Sequence, residues 1–425
     1  MRIAIIGTGV SGLVAARRLH RHHEVTLFEA NDWVGGHTHT VDVELACGRY
    51  AVDTGFIVFN DWTYPHFVRL LDELGVESQP SSMSFSVRCE RTGLEYNGTS
   101  LNRLFAQRRN LIRPAFYRML RDILRFNREA PELIGAGDDD LTLGEYLALR
   151  GYSREFIEYY LVPMGAAIWS ATPPTMGQFP ARYFVQFFHN HGMLSVNERP
   201  TWRVVKGGSR EYVRELIAPF RERIRLRTPV AWIRRASTHV TVAPRNAEPQ
   251  RFDHVFLACH SDQALALLAD ATPPEREVLS AIPYQENDVV LHTDVRMLPA
   301  RPRAWAAWNY HIPPQPLQRV AVTYNMNILQ GLPARDQICV TLNRSEVVDP
   351  PRIHGRFTYH HPVYDVNAVR AQRRVPAING RRRTWFCGAW CGYGFHEDGV
   401  RSALDACDAF DQQVDDEELS LRRTG

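Results

Sequence analysis

Apolar residues at the start of the chain first form a short continuous run and then recur at helical spacing. The run from Arg2 to Ile6 is rich in isoleucine, which is typical of a strand buried on both faces of a parallel sheet. Residues 13–19 continue with leucine, valine and alanine, which suit a helix packed closely on that sheet. A second apolar segment, Val25 to Glu29, ends in an acid. The pattern predicts a strand–helix–strand unit of an α/β fold.

Similar signals recur along the rest of the chain. A helix is predicted from Tyr212 to Ile217, a strand from Ile224 to Val230 and a buried strand from Asp253 to Cys259. Near the C-terminus, an apolar segment and a glycine-rich turn lead into a helix predicted from Arg401 to Phe410. The intervening chain predicts a mainly helical stretch at 101–160 and strands at 289–292, 304–310 and 320–324.

The sequence Gly7-Thr8-Gly9-Val10-Ser11-Gly12 separates the first strand from its helix. In this arrangement Gly7 allows a tight turn, Gly9 lets the backbone approach a pyrophosphate and Gly12 brings the helix close to the strand. The helix N-terminus offers free N–H groups to the phosphates. Glu29 follows Gly7 by 22 residues, a position from which a carboxylate accepts hydrogen bonds from a ribose. A dinucleotide is therefore the predicted ligand.

A second glycine pair favours FAD over NAD. Gly35-Gly36 lets the chain fold back over the nucleotide, and Val52-Asp53-Thr54-Gly55 supplies a tight turn beside it, an extension typical of FAD-binding proteins. His37 follows the pair, so the helix N-terminus or other groups must compensate the pyrophosphate charge. No cysteine or histidine stands where a tether is expected, so the FAD is predicted to be non-covalent. The predicted cofactor contacts are Gly7, Gly9, Val10, Ser11, Gly12, Glu29, Ala30, Gly35, Gly36, His37, Thr38, Gly55, Phe56, Val230, Ala258, Gly388, Gly399 and Val400.

Three later segments fit the same cofactor. Lys206-Gly207-Gly208 provides a glycine pair that can lie beneath a ring system. The backbone of Val230 is expected to pair with the adenine, and the turn from Gly388 to Val400 to present N–H groups to the ribityl chain and the flavin. The predicted fold class is α/β, with a discontinuous Rossmann-like FAD-binding domain of the glutathione-reductase type and an interleaved α+β substrate domain. The predicted bounds are 1–75, 200–275 and 366–425 for the first domain and 76–199 and 276–365 for the second.

Composition narrows the class of protein without identifying it. The 425 residues are 44% hydrophobic and 23% charged with a net charge of +3, an ordinary globular composition with too little charge to indicate nucleic-acid binding. The seven cysteines show neither a disulfide framework nor zinc-site spacing, and no metal is predicted. The start is unlike a signal peptide, and no apolar run is long enough to span a bilayer. A cytoplasmic location is expected, with peripheral contact to the inner membrane face left open.

Longer stretches of the sequence resemble the superfamily of flavin amine oxidases, protoporphyrinogen oxidases and phytoene desaturases. The resemblance is strongest to the flavin domain at the N-terminus of plant cyclopropane fatty acid synthases and to its stand-alone bacterial relatives. His37 departs from the arginine that most of the superfamily has there. The resemblance implies oxidation of an unsaturated or methyl-branched fatty acyl chain esterified in phospholipid, and contact with a fatty-acid methyltransferase. It rests on GGHTHTV (35–41), DTGFIVFN (53–60), TYP (63–65), SSMSFSV (81–87), LFAQRRN (104–110), PMGAAIWS (163–170), KGGS (206–209), AAWNYH (306–311), TYNMNILQ (323–330) and HPVYD (361–365).

Oxidation of an alkyl or allylic C–H bond requires no strong acid–base pair. Flavin N5 accepts the hydride, and the protein supplies position, an apolar channel and exclusion of water. The sequence has no evident nucleophile triad or metal cluster, which agrees with this chemistry. Aromatic residues that suit either a channel or an ordinary core are Trp169, Tyr183, Phe184, Phe187, Phe188, Trp305, Trp308, Tyr310, Tyr324, Tyr359, Tyr364 and Trp390.

Four residues are candidates for catalysis: Lys206, Tyr359, His361 and His396. Lys206, the only lysine, precedes a flavin-side glycine pair, with a surface position as the alternative. His361 is a candidate base or head-group contact, and its neighbour His360 should face the opposite way if the segment is a strand. His396 lies in the flavin turn, where it either touches the ring or stabilises the turn.

Two further functions remain open from the sequence. One is a flavin amine oxidase, although no obvious carboxylate is available to recognise a polyamine. The other is a non-catalytic flavin-bearing partner of a cyclopropane-synthase-like methyltransferase. The arginine-rich stretch from Arg103 to Arg125 is either a set of solvated helix faces or a patch for anionic phospholipid head groups.

Overall fold

The N-terminal strand–helix–strand unit is present as predicted. The computed structural model describes residues 1–135, 140–195, 197–315 and 317–424, with side chains as far as residue 416. The first strand spans Arg2–Ile6, the helix Val10–Leu19 and the second strand Glu24–Phe28. The two strands pair in parallel, and most of their residues are buried. The isoleucine-rich run thus lies inside a sheet that is covered on both faces.

A five-stranded parallel sheet forms around this unit. Three chain segments far apart in sequence contribute its strands. The helices Val10–Leu19 and His396–Thr424 pack against each other beside it. The carboxyl ends of its central strands share one edge, where open α/β sheets bind their ligands. In order across the sheet, the strands are Ile224–Arg225, Glu24–Phe28, Arg2–Ile6, His254–Leu257 and Thr384–Phe386.

A mixed seven-stranded sheet forms the second layer of the molecule. One pair of its strands is parallel and the others are antiparallel. Its longest strands, Tyr284–His292 and Ile353–Pro362, lie together at one edge. The other strands, in order, are Cys339–Leu342, Val322–Asn325, Trp308–Ile312, Phe85–Cys89 and Leu94–Asn97.

Smaller sheets and many helices complete the fold. The three small sheets consist of Thr40–Leu45 with Gly48–Asp53; of Phe59–Asn60, Trp202–Val205 and Ser78–Pro80; and of Val230–Arg235, Val240–Pro244 and Gln250–Phe252. The other α-helices that the structure describes are Pro65–Leu74, Leu101–Leu104, Pro114–Glu129, Glu132–Gly135, Leu143–Leu149, Arg154–Phe156, Val162–Trp169, Pro173–Gly177, Ala181–Asn190, Arg210–Ile217, Ser261–Leu267, Pro273–Ser280, Met326–Leu329, Val366–Gln372 and Val375–Ile378. None of the helices in the described ranges combines the length and the apolar character that a bilayer crossing requires.

The strand predicted from Ile224 to Val230 is wrong in its extent. It ends at Arg225, and Val230 begins a strand of a different sheet. Between them Arg227 adopts a φ of 50°, in the left-handed region. The backbone N–H of Thr228 donates to the carbonyl of Glu29 at 2.8 Å, and this bond holds the turn beside the second strand. The turn therefore follows from a long-range contact that local pattern does not encode.

Two other predicted bounds also change. The C-terminal helix begins at His396 rather than Arg401 and continues to Thr424, with acidic residues in the first turn that favour a helix N-terminus. The predicted strand at 304–310 begins only at Trp308. Before it, the side chain of Asn309 bonds both the N–H and the carbonyl of Ala306, which diverts these backbone groups from a strand ladder.

Candidate functional site

The first glycine loop leaves space on one side of its backbone. Gly7 has a φ of +100°, and a side chain there would meet the carbonyl of Ala258 at 2.6 Å. Gly12 faces the Gly7 carbonyl, so the loop is closed on its sheet side. A Cβ at Gly9, by contrast, would meet no atom of the described residues within 4 Å, and the backbone φ of −64° would also accept a side chain. This open side, at a helix N-terminus, is where a diphosphate fits.

The second glycine pair lies directly against the first loop. The N–H of Gly35 donates to the carbonyl of Thr8 at 3.0 Å, and a Cβ at Gly36 would lie 3.1 Å from the Cα of Gly9. Two residues further on, the carbonyl of His37 accepts from the N–H of Phe56 at 2.7 Å. Segments 7–12, 35–38 and 55–56 therefore converge on one place.

Glu29 stands at the end of the second strand with its carboxylate buried and fixed. One carboxylate oxygen accepts from the N–H and the hydroxyl of Thr8, at 3.0 and 2.6 Å, and the other accepts from the N–H of Asn31 at 2.9 Å. A carboxylate has about four acceptor positions, so acceptor capacity remains for a ribose hydroxyl. The arrangement suits the role predicted for Glu29.

The N-terminus of the C-terminal helix meets the same loop. Gly399 lies against the side chains of Val10 and Ser11, with no room for a Cβ of its own. The N–H of Gly388 donates to the hydroxyl of Ser402 at 3.0 Å, which ties the preceding turn to this helix. Two helix N-termini thus meet at the first glycine loop, and their partial positive charges would favour a bound pyrophosphate and negative charge on a flavin. Together with the open side of Gly9 and the fixed Glu29, this geometry fits FAD.

A cluster of imidazole and phenol rings lies beside the glycine pair. The ring centroid of His37 is 5.2 Å from that of Tyr359, 5.5 Å from that of His361 and 6.1 Å from that of His260. Nε2 of His37 is buried and has no hydrogen-bond partner among the described residues, as expected for a group that faces a cofactor. Burial lowers the pKa of His37 to about 4 and that of His260 to about 3, so both rings are neutral near pH 7.

His361 is held by hydrogen bonds from the substrate-side layer. The strand Ile353–Pro362 alternates as expected, with the side chain of His360 turned toward Glu286 at the surface and that of His361 turned into the cluster. Nδ1 of His361 lies 2.9 Å from the hydroxyl of Ser170 and 3.4 Å from the amide nitrogen of Asn287. Since an amide nitrogen only donates, Nδ1 accepts and Nε2 carries the proton. Burial and the neighbouring histidines lower the pKa of His361 to about 3.

Tyr359 and His396 have structural partners that restrict their chemistry. The hydroxyl of Tyr359 lies 2.7 Å from that of Thr54 and 2.8 Å from Nδ1 of His39, and burial raises its pKa to about 12. Nε2 of His396 lies 2.9 Å from the hydroxyl of Thr38 and 3.0 Å from that of Tyr212, and burial holds the pKa of His396 well below its usual range. Both residues therefore support the site through fixed hydrogen bonds.

Lys206 and two predicted cofactor contacts lie apart from this cluster. The ammonium of Lys206 is exposed and pairs with Glu77 at 2.7 Å, which matches the surface alternative, so we leave Lys206 out of the candidate site. Ala30 is exposed just beyond Glu29. Val230 pairs with Pro244 in a three-stranded sheet, so its contact with adenine stays a prediction.

Sequence reasoning missed His260 and Ser170. His260 follows the strand His254–Leu257 and its ring stacks on Tyr284 at 4.2 Å between centroids. Its position after a strand of the parallel sheet was a usable signal, because ligand sites gather at that edge. Ser170 adopts a φ of 54° after the helix Val162–Trp169, and nothing local marks it as a partner of His361.

The predicted aromatic residues are mostly core. Among these residues, Tyr359 contacts His37. The ring of Tyr183 packs instead on Tyr364 and Tyr393, at centroid distances of 5.6 and 4.4 Å. The hydroxyl of Tyr183 donates to the carbonyl of Gly392 at 2.9 Å and so bonds the substrate-side helices to the C-terminal turn. Within the described ranges, no group of three or more His, Cys, Asp or Glu residues is arranged to hold a metal ion.

The lowered histidine pKa values predict acid sensitivity. When a histidine has a lower pKa in the folded protein than in the unfolded chain, the unfolded chain binds more protons below about pH 6.5. The free energy of unfolding therefore falls as the pH falls toward 4. We expect His361→Asn to reduce the slope of the unfolding free energy against pH by up to about 1.4 kcal/mol per pH unit. Urea unfolding between about pH 7 and pH 4 measures the slope. The exposed control His189→Asn should leave it unchanged, and equal slopes for wild type and His361→Asn would contradict the prediction.

Comparison with known proteins agrees with this geometry. The sequence profile described as flavin containing amine oxidoreductase matches residues 10–297. The 1-hydroxycarotenoid 3,4-desaturase of Flavobacterium sp. is 36% identical over 100 residues, which are 23% of this chain and 18% of that protein. The chain spans less than two thirds of the length of the curated relatives it matches.

Solved structures share the fold over nearly the whole chain. Cyclohexylamine oxidase from Brevibacterium oxydans is 16% identical, with 97% of this chain and 99% of that chain covered and a TM-score of 0.70. A fatty acid isomerase from P. acnes is 18% identical, with 96% and 98% covered and a TM-score of 0.68. The glycine loop, the ribose acid, the paired helix N-termini and the profile match point to one conclusion. The chain belongs to the flavin-containing amine oxidoreductase family, and FAD is the cofactor of its site.

Proposed function

We propose that this protein oxidises unsaturated or methyl-branched fatty acyl chains of membrane phospholipids. FAD supplies the hydride acceptor, flavin N5, and the protein's residues position the chain and exclude water. The observation that carries the proposal is the neutrality of the cluster: His37, His260 and His361 have pKa values of about 3 to 4, and that of Tyr359 is about 12. Neutral rings suit a substrate whose reacting group, here a C–H bond of the acyl chain, carries no charge.

Two names among the similar proteins support an apolar substrate. One solved neighbour is called a fatty acid isomerase, and one relative is called a carotenoid desaturase. A flavin amine oxidase is the second candidate, because a neutral cluster also accepts a deprotonated amine and one neighbour is called a cyclohexylamine oxidase. The third interpretation is a non-catalytic partner of a methyltransferase. In our proposal the protein is itself the oxidase, and it also contacts such an enzyme.

We also propose a division of the chain into two domains. The parallel sheet and its helices form the FAD-binding domain, of the glutathione-reductase type, and the seven-stranded sheet forms the substrate domain, with the bounds predicted from the sequence.

The FAD is bound without a covalent link. The described thiols nearest the cofactor turn, Cys387 and Cys391, support this, because burial raises the pKa of both and that of Cys391 to about 12, so neither is a ready nucleophile. The protein acts in the cytoplasm, at the inner membrane face.

Anaerobic reduction of the bound flavin tests the substrate. We expect detergent-dispersed phospholipid with unsaturated or methyl-branched chains to bleach the flavin absorbance, and alkylamines to leave it unchanged. His361→Asn should slow the reduction on the order of a hundredfold without loss of FAD, because a displaced substrate lowers the rate steeply. His354→Asn, an exposed histidine of the same strand, is the control. Reduction by alkylamines and not by lipid would replace the proposal with an amine oxidase.

A further inference from the structure

Large apolar side chains are exposed on one arginine-rich segment of the substrate-side layer. Ile112 is 83% exposed, Leu101 76% and Leu124 62%, and Leu111 and Tyr117 are about half exposed. Exposed side chains of this size, close together, mark an interaction surface more often than an ordinary protein surface.

These residues form one continuous face. On the helix Pro114–Glu129, Phe116, Met119 and Phe126 are buried, while positions 117, 121, 124 and 128 are exposed at helical spacing. The hydroxyl of Tyr117 donates to the carbonyl of Leu111 at 3.0 Å, and its ring centroid lies 6.3 Å from that of Phe105. The stretch that begins at Leu101 therefore lies against the exposed side of the helix. We call the exposed side of residues 101–128 the basic–apolar face.

The segment itself is strongly basic, although Glu155 and Glu129 pair with Arg118 and Arg125. Residues 101–128 contain eight arginines and a single acid, Asp122, which is buried. The side chains of Arg121 and Arg128 are among the most exposed, at 74% and 78%. Among the described carboxylates, the nearest oxygen lies 3.6 Å from each of these two guanidinium groups, so both groups retain capacity for other anions.

We propose that the basic–apolar face binds the surface of an anionic phospholipid bilayer. Leucine and isoleucine side chains enter the boundary between head groups and acyl chains, while the arginines meet the phosphates. The inference rests on the proposed function, because docking would bring esterified acyl chains to the substrate layer. The face is attached to the seven-stranded sheet: Nδ2 of Asn110 donates to the carbonyl of Glu95, on the edge strand Leu94–Asn97. The strand of His361 forms the opposite edge of the same sheet.

Vesicle flotation of the FAD-loaded protein tests this inference. We expect binding to vesicles of phosphatidylglycerol and phosphatidylcholine, weakened by salt, and much weaker binding to pure phosphatidylcholine. The double variant Arg121→Gln/Arg128→Gln should lose about fivefold in affinity for each arginine. Leu101→Ser/Ile112→Ser should lose roughly tenfold for each side chain. The control Arg221→Gln/Leu226→Ser, exposed residues outside this segment, should bind as the wild type does.

Several results would overturn the inference. One is equal binding of the wild type to both kinds of vesicle, and another is a loss of affinity in the control variant as large as in the face variants. A third is a dimer in solution that the face variants abolish, since a second copy of the chain would then occupy the face. The face variants should keep flavin reduction by detergent-dispersed lipid, because they leave the histidine cluster intact. Vesicle binding without flavin reduction by any lipid would support the bilayer contact and overturn the lipid substrate.

Discussion

Gly9→Val should yield a folded protein that no longer binds FAD. A Cβ at Gly9 would have no atom of the described residues within 4 Å and the backbone φ is an ordinary −64°, so the fold can accept the side chain. The same space lets a diphosphate approach the helix N-terminus closely, and valine would occupy it. We expect the flavin absorbance of the purified protein to fall to near background while the far-ultraviolet circular dichroism is retained.

Gly98→Val is the matched control. Gly98 is exposed and a Cβ there also has open space, but it lies on the substrate-side layer after the strand Leu94–Asn97. This variant should keep its flavin. A Gly9→Val protein with normal flavin content would place the diphosphate elsewhere, and loss of flavin in both variants would show a general defect of folding.

Arg235→Met should destabilise the protein by about 3–5 kcal/mol. The guanidinium of Arg235 is fully buried and bonds both carboxylate oxygens of Glu275, at 2.5 and 2.9 Å, and Asp270 at 2.8 Å. Burial opposes ionisation of Glu275, but the hydrogen bonds from Arg235 outweigh this and lower its pKa. Methionine fills similar space and leaves a buried carboxylate without its cation, which is the costly outcome.

Arg374→Met provides the comparison for this prediction. Arg374 pairs with Glu277, on the same helix Pro273–Ser280, at 2.6 Å, but both side chains are more than half exposed. Exposed pairs contribute about 0–1 kcal/mol, so this variant should unfold close to the wild type in urea. Similar midpoints for the two variants would mean that the Arg235 cluster contributes no more than a surface pair.

The cofactor site was predictable because its parts are local in sequence. Gly7, Gly9 and Gly12 lie within one turn, and Gly35 and Gly36 within another, so each carries its own conformational signal. Their convergence follows from the parallel pairing of the first two strands, which places the ends of both at one edge. The periodicity of the surrounding residues therefore predicted the unit, and the two sets of glycines predicted its ligand.

The catalytic side was predictable only in part. Alternation along Ile353–Pro362 correctly predicted that His360 and His361 face opposite ways, because side chains of a strand alternate between its faces. Which of the two turns inward depended on the packing of the strand. Lys206 was misleading, because a glycine pair beside it gave no information on the exposed Glu77 with which it pairs. His260 and Ser170 come from segments that meet His37 and His361 only in the folded chain.

The α/β class, the dinucleotide unit and the choice of FAD followed from the amino-acid sequence, since these depend on backbone requirements within a few residues of one another. Which rings surround His37 depends on long-range contacts, because the register of two sheets and the packing between them bring those segments together. Tertiary packing also places the arginines of residues 101–128 on a face with exposed leucine and isoleucine. Helical spacing marks a face, but what covers or exposes that face depends on distant parts of the chain.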